Sequence, residues 1–133
     1  MSDTAIICVD DETVILEGLK EQLIRRFGEK YLYEVAESTT EAWEIIEELI
    51  ESDVGILIIV SDWLMPGMKG DEFLIRVHQK FPNVITVMLT GQADEAAIGR
   101  VKQEANLHRC LYKPWTEEEL SEAIISGLEQ SDV

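Results

Sequence analysis

The chain of 133 residues has the length of one domain, and a hydrophobic fraction of 46% is enough for a buried core. Its formal net charge of −16 argues against direct binding to nucleic acid or to an anionic membrane, because both require Lys and Arg. No apolar run approaches the roughly 18 residues of a transmembrane helix, and no basic region precedes the first apolar run as in a signal peptide. These features predict a single cytoplasmic domain over 1–133, with its core over about 5–130.

Short β-type runs alternate with helical patterns along the chain. The first, third and fourth runs are almost wholly apolar, which is typical of strands buried on both faces of a parallel sheet. The runs are AIICV (5–9), YLYEVA (31–36), VGILIIVS (54–61), VITVMLT (84–90) and RCLYK (109–113).

Apolar residues that recur at three- and four-residue steps predict an amphipathic helix after each run, as with Leu16, Leu19 and Leu23 after the first. Thr40 before EAW signals one helix start, and Thr116 with Glu119 forms a capping-box pattern at another. A strand and a helix repeated five times predict an α/β fold with a doubly wound parallel sheet and right-handed crossovers.

Polar side chains follow the strands at the edge where such a sheet forms its ligand crevice. Asp10 and Asp11 follow the first strand, and Asp62, Thr90 and Lys113 stand at the ends of the third, fourth and fifth. Two carboxylates about 4 Å apart repel each other by on the order of 4 kcal/mol at an effective dielectric near 20. Lys113 and a hard divalent cation such as Mg²⁺ would offset this repulsion.

Helix capping is the simpler interpretation of these acids. Asp10 or Asp11 could cap the helix that begins near Thr13. Capping does not account for Asp62, which precedes a turn, or for the Thr and the Lys at the other two strand ends. We therefore favour a site over capping.

Four segments resemble the motifs of the receiver domain of two-component response regulators. They are VDDE (9–12), SDWLMPGMKG (61–70), MLTGQ (88–92) and LYKPW (111–115). Their order and spacing match the five-strand pattern, and the resemblance covers nearly the whole chain. It implies a flavodoxin-like (βα)5 fold with a parallel five-stranded sheet in the order 2-1-3-4-5.

The resemblance also implies roles for the acids. Asp62 matches the phosphoacceptor. Asp11 and Asp62, joined by the backbone carbonyl of Leu64, match the direct Mg²⁺ ligands, and Asp10 matches an acid that holds the metal through water.

The remaining matches concern the ends of the fourth and fifth strands. Lys113 matches the lysine that pairs with the phosphoryl group, and Thr90 matches a hydroxyl that moves to donate a hydrogen bond to it. The family carries a cis peptide bond before the proline that corresponds to Pro114.

Cys110 is a departure from the family pattern. Receivers usually carry Tyr or Phe at this position, where the ring changes rotamer as the threonine moves, and a thiol cannot reproduce that movement. The implied strand order places Cys8 and Cys110 about 14 Å apart. A disulfide requires Cα atoms within about 7 Å, so both thiols are predicted to be free.

The function that the resemblance implies is a phospho-switch. A sensor histidine kinase or a phosphotransfer protein would phosphorylate Asp62 in a Mg²⁺-dependent reaction. The added charge would change the face formed by the fourth helix, fifth strand and fifth helix, which would control an effector or output domain, or form a homodimer. Such a domain is not an enzyme in the metabolic sense, because it catalyses only its own phosphorylation and dephosphorylation.

Two other functions are weighed against the switch. A receiver-like interaction module that signals without phosphate stays open because of Cys110. A Mg²⁺-dependent phosphohydrolase with an Asp nucleophile is disfavoured, because such enzymes carry a second Asp two residues after the nucleophile, where this chain has Leu64. Among the tryptophans, Trp43 is expected to be partly buried and Trp63 to flank the site, while Trp115 is equally consistent with a partner contact and with packing.

Overall fold

The computed structural model describes residues 4–63, 70–91, 95–104 and 107–131. Within these ranges, five strands alternate with five α-helices, and a short 3₁₀ helix, Gly28–Lys30, follows the first α-helix. The elements are β1 (Thr4–Val9), α1 (Thr13–Phe27), β2 (Leu32–Ala36), α2 (Thr39–Glu51), β3 (Gly55–Asp62), α3 (Gly70–Lys80), β4 (Ile85–Thr90), α4 (Glu95–Glu104), β5 (Leu107–Tyr112) and α5 (Glu117–Ser131).

The five strands form one parallel sheet in the order β2-β1-β3-β4-β5, which confirms the predicted flavodoxin-like fold. β5 begins two residues earlier than predicted, at Leu107. The register between β4 and β5 shifts there, since Thr86 pairs with Leu107 and Val87 with Arg109. His108 is the residue without a partner in this register, and the pairing is regular from Arg109 to Tyr112 at the carboxyl end of the strand.

The core lies on both faces of the sheet, as the continuous apolar strands predicted. Alternate strand residues face opposite sides, so Ile6 and Cys8 pack with α1 and α5 while Ile7 and Val9 pack with α2, α3 and α4. Every side chain of β1 from Ala5 to Val9 is at most 1% exposed. The strands that carry the polar side chains at their carboxyl ends are therefore packed on both faces.

The helix starts agree with prediction at α5 and differ at α2. Thr116 and Glu119 form the predicted capping box, with both reciprocal hydrogen bonds at 3.0 Å. The N-cap of α2 is Ser38, whose Oγ accepts a hydrogen bond from the backbone N–H of Glu41 at 3.1 Å. The predicted start at Thr40 is wrong, because Thr39 and Thr40 already lie within the helix, while Ser38 has the extended backbone of an N-cap residue.

Gly127 of α5 lies close against the sheet. A Cβ at this position would lie 3.0 Å from Ile85 Cγ2 and 3.4 Å from Ile58 Cδ1, whereas a Cβ at Gly99 of α4 would meet nothing within 4 Å. Alanine is favoured over glycine in a helix by roughly 1 kcal/mol. We therefore expect Gly99→Ala to raise the free energy of unfolding by about 0.5–1 kcal/mol, and Gly127→Ala to lower it by about 1–2 kcal/mol through overpacking. Urea titration of both variants checks this, and a stabilised Gly127→Ala would contradict the close packing.

Candidate functional site

The carboxyl ends of four strands converge at one edge of the sheet. Asp10 follows β1, Asp62 and Thr90 are the last residues of β3 and β4, and Lys113 follows β5. Asp62, Thr90 and Lys113 line a cavity of about 490 Å³ together with Asp11, Glu12, Trp63 and Gly91. Asp10 is buried beside this cavity, with Oδ2 2.9 Å from Lys113 Nζ. The structure thus brings together the acids, the hydroxyl and the lysine that the sequence placed at the ends of separate strands.

Lys113 is the centre of the charge arrangement. Its Nζ lies 2.9 Å from Asp10 Oδ2 and 3.2 Å from Asp62 Oδ1, and it contacts Glu12 Oε1 more distantly, at 3.7 Å. The side chain of Lys113 is 19% exposed and that of Asp10 is fully buried. The lysine therefore balances buried carboxylate charge.

Asp10 is held from two directions. Its Oδ1 accepts a hydrogen bond from the backbone N–H of Glu12 at 2.9 Å, while its Oδ2 accepts one from Lys113 Nζ. A buried carboxylate is tolerated when it is paired and hydrogen-bonded in this way. The N-cap of α1 is Glu12, and its side chain makes no capping bond. Neither Asp10 nor Asp11 is the N-cap residue of α1, and the bond from Glu12 occupies only one oxygen of Asp10 while the other binds Lys113, so capping does not account for this acid.

Three carboxylates form a cluster that could hold a metal ion. One oxygen each from Asp10, Asp11 and Asp62 lies within 4.8 Å of the others. Asp10 and Asp62 are buried, and Asp11 is exposed toward solvent. Hard oxygen ligands of this kind suit Mg²⁺, which keeps several waters of its own. Leu64, whose backbone carbonyl was predicted to complete the set, lies outside the described residues.

Burial and neighbouring charges shift the pKa values of Asp62 and Lys113. Burial, and then the charge of Asp10, raises the pKa of Asp62, and Lys113 only partly offsets them. Burial alone would lower the pKa of Lys113, but its hydrogen bonds and charge interactions with Asp10 and Asp62 prevail and raise it. The site therefore holds a firmly protonated ammonium beside a carboxylate whose charged form is costly.

The end of β5 positions Lys113 against β4. The backbone N–H of Lys113 donates to the carbonyl of Thr90 at 2.9 Å, and Thr90 and Tyr112 are partners in the strand register. Thr90 is 1% exposed, and its partner Tyr112 is 58% exposed. The peptide bond between Lys113 and Pro114 is cis, as predicted.

The two thiols are free, as predicted, and face different cores. Cys8 lies in β1 within the core beside α1 and α5, and Cys110 packs from β5 against the core on the other face. Burial raises the pKa of Cys8 to about 12, which makes this thiol inert. Cys110 is half-buried opposite Met88.

The tryptophans fall on three different surfaces. Trp63 lines the cavity, and Trp43 is half-buried with its ring edge-to-face against Phe73 at 5.5 Å between centroids, so both predictions are confirmed. Trp115 is half-buried and packs against the α1–α5 core, and its Nε1 donates to Gln22 Oε1 at 3.1 Å. These contacts favour the packing alternative for Trp115.

Glu12 was missed by sequence reasoning. It lines the cavity beside Asp11 and approaches Lys113, although only the pair Asp10 and Asp11 was singled out. Its position as the third acid of the VDDE run was the available signal.

A family model described as the response regulator receiver domain matches residues 6–125. The chain belongs to this family. Receiver domains are signalling domains of two-component systems, not classical enzymes, and they bind Mg²⁺ at an acidic pocket. In this chain, the cluster of Asp10, Asp11 and Asp62 could hold such an ion.

Relatives and solved structures agree with the assignment. The hydrogenase transcriptional regulatory protein HoxA of Cupriavidus necator is 28% identical over 131 residues, which is 97% of this chain and 25% of that protein. A chemotaxis protein CheY homolog of Campylobacter jejuni is 29% identical over 121 residues, 90% of this chain and 88% of that protein. The signal receiver domain of an HD domain-containing protein from Pseudomonas fluorescens Pf-5 superposes with a TM-score of 0.85 at 29% identity, covering 97% of both chains.

The receiver domain matched here spans about a quarter of the length of HoxA, but most of the CheY homolog. Receivers of this kind therefore occur both within longer proteins and as most of a short one. Among the described residues, no helix is both long and apolar enough to span a membrane.

Proposed function

We propose that this receiver domain is a phospho-switch in which Asp62 accepts a phosphoryl group from a sensor histidine kinase or a phosphotransfer protein. The observation that carries the proposal is the contact of 3.2 Å between Lys113 Nζ and Asp62 Oδ1 at an open cavity. A carboxylate oxygen of Asp62 attacks phosphorus, the bond from phosphorus to the donor nitrogen breaks, and the donor leaves with that electron pair.

The acids would bind the metal ion, and Lys113 would compensate the charge of the phosphoryl group. Asp11 and Asp62, with the backbone carbonyl of Leu64, would hold Mg²⁺ directly, and Asp10 would hold it through water. When bound, the metal neutralises charge that develops on the transferring phosphoryl oxygens. Lys113 acts as a point charge on the same oxygens, and its raised pKa keeps it protonated throughout.

Thr90 would couple phosphorylation of Asp62 to the surface of the domain. Its hydroxyl, at the end of β4, would donate a hydrogen bond to the phosphoryl group. The movement would change the face formed by α4, β5 and α5, which then controls an effector or output domain, or a homodimer. Cys110 lies on β5, which belongs to this face. A thiol there would not reproduce the ring movement of other receivers, so the response at this face would differ from theirs. On this account the chain is one receiver domain over 1–133 in the cytoplasm.

A phosphate-independent interaction module is the second candidate. The half-buried thiol of Cys110, at the position of the usual ring, is the observation that favours it. In that case Asp62 would take no phosphoryl group, or would take one without any change at the α4–β5–α5 face.

The test is intact mass after incubation with acetyl phosphate, with and without Mg²⁺, on the native protein and on Asp62→Asn. We expect the native protein to gain the mass of one phosphoryl group only when Mg²⁺ is present, and Asp62→Asn to gain none. A folded native protein that gains no mass with Mg²⁺ would sink the switch and leave the phosphate-independent module as the better account.

A further inference from the structure

Glu12 has a position at the cavity that neither the helix nor the acid cluster explains. It is the N-cap residue of α1, yet its side chain makes no capping bond. Its carboxylate reaches instead toward the cavity, with Oε1 3.7 Å from Lys113 Nζ. The side chain is 64% exposed, so the charge stands at the mouth of the cavity and not at its floor.

Glu12 has fewer compensating positive charges than the three aspartates beside it. Asp10, Asp11 and Asp62 form the three-acid cluster that could share a metal ion, and Glu12 is outside that cluster. Lys113, the one cation among the described residues that line the cavity, lies closer to Asp10 and Asp62 than to Glu12. Among the described residues that line the cavity, Glu12 therefore shares its only cation with two closer carboxylates, and its charge is the least compensated of the four acids when a metal ion neutralises the cluster.

An incoming phosphodonor is an anion and must pass this carboxylate. Like charges within a few ångströms repel in proportion to the product of their charges, and partial exposure weakens this repulsion without removing it. The repulsion is therefore larger for a dianionic donor than for one whose phosphoryl group carries an adjacent positive charge.

We propose that Glu12 is a specificity-determining residue that selects against phosphodonors according to their negative charge, and so favours donors with positive charge beside the phosphoryl group. This inference rests on the proposed phosphorylation of Asp62. It assigns Glu12 a role in donor choice only, with no bond to phosphorus and no proton transfer.

Two small donors separate charge from other effects. Acetyl phosphate is a dianion near neutral pH: Asp62 attacks its phosphorus, the phosphorus–oxygen bond to the acetyl group breaks, and acetate leaves with the electron pair. Phosphoramidate is a zwitterion of net charge one lower in magnitude: its phosphorus–nitrogen bond breaks, and ammonia leaves with the protons that the nitrogen already carries. The same acyl phosphate forms on Asp62 in both reactions.

Glu12→Gln removes the charge at nearly constant size, and Glu21→Gln is the matched control. Glu21 is exposed on the same helix, nine residues further on and therefore about 13 Å away along its axis. Both variants change the net charge equally, and about 13 Å exceeds the Debye length of about 10 Å at 0.1 M salt. A difference in phosphorylation rate between the two variants therefore depends on where the removed charge lay, and not on the change in net charge.

Initial phosphorylation rates are measured by intact mass at saturating Mg²⁺ and low salt, after melting curves show that both variants are folded. We expect Glu12→Gln to react about tenfold faster with acetyl phosphate and about threefold faster with phosphoramidate, because the repulsion scales with donor charge. Both gains should shrink at 1 M salt, where the Debye length is about 3 Å, and Glu21→Gln should match the native protein.

Equal gains with the two donors, or no gain with either, would overturn the role of Glu12 while leaving phosphorylation intact. A native protein that reacts with neither donor would overturn the proposed function, and the inference with it.

Discussion

Replacing Lys113 by methionine is expected to lower the free energy of unfolding by about 2–4 kcal/mol at neutral pH without Mg²⁺. Nζ of Lys113 lies 2.9 Å from the fully buried carboxylate of Asp10 and 3.2 Å from that of Asp62. Methionine fills a similar volume and carries no charge, so the variant leaves both carboxylates without their ammonium. Stability is lost because buried carboxylates are left without a compensating positive charge. This loss is larger than the stabilisation that an exposed ion pair provides.

The pH dependence of this loss follows from the raised pKa of Lys113. A group whose pKa is higher in the folded state stabilises the fold fully below its unfolded pKa, near 10.4, and loses that contribution as the pH rises through the folded value. The difference between native and Lys113→Met should therefore persist through neutral pH and shrink in strong alkali. It should also shrink in acid, where Asp62, whose pKa is raised, becomes protonated and no longer needs the ammonium.

Urea titration with and without Mg²⁺ measures the effect, and Lys20→Met is the control because Lys20 is exposed on α1. We expect the control to change stability by less than about 0.5 kcal/mol. Mg²⁺ should restore part of the stability lost by Lys113→Met, since a divalent cation replaces the missing positive charge. A Lys113→Met variant as stable as the control without Mg²⁺ would show that the cluster does not depend on the ammonium.

The fold and the convergence of the acids could be predicted because both depend on periodic patterns. Strands that are apolar at every position are buried on both faces, and the carboxyl ends of parallel strands share one edge. Asp10, Asp62, Thr90 and Lys113 could therefore be placed together from their positions alone.

The features that were missed depend on individual side-chain orientations. Ser38, Thr39 and Thr40 all carry hydroxyls suited to capping, and only the backbone geometry selects Ser38. Trp115 donates a hydrogen bond to Gln22, which lies 93 residues away in the sequence, and no local sequence pattern predicts a contact over that separation. Glu12 could have pointed to solvent, as an exposed acid at a helix start often does, and its approach to Lys113 is a matter of rotamer.

Replacing Asp62 by asparagine is expected to raise the free energy of unfolding by about 1–2 kcal/mol at neutral pH without Mg²⁺. Asp62 is 5% exposed, and burial followed by the charge of Asp10 raises its pKa above the ordinary value. A carboxyl whose pKa is raised on folding binds more protons in the folded state, so stability falls as the pH rises from about 4 through the folded pKa. Asparagine keeps the shape and removes this penalty.

The gain should therefore vanish below about pH 4, where the native Asp62 is protonated in both states. Asp53→Asn is the matched control: Asp53 is exposed, and its positive φ of 61° is a conformation that asparagine also accepts. Saturating Mg²⁺ should reverse the order of stability, because ligand binding stabilises the native protein and the neutral amide of the Asp62→Asn variant offers the cation less charge.

Melting curves across the range of about pH 3–8, with and without Mg²⁺, give both results. A variant less stable than the native protein without Mg²⁺ would mean that the contact with Lys113 outweighs burial and the repulsion from Asp10, and that the acid cluster stabilises the fold and is not held at a cost.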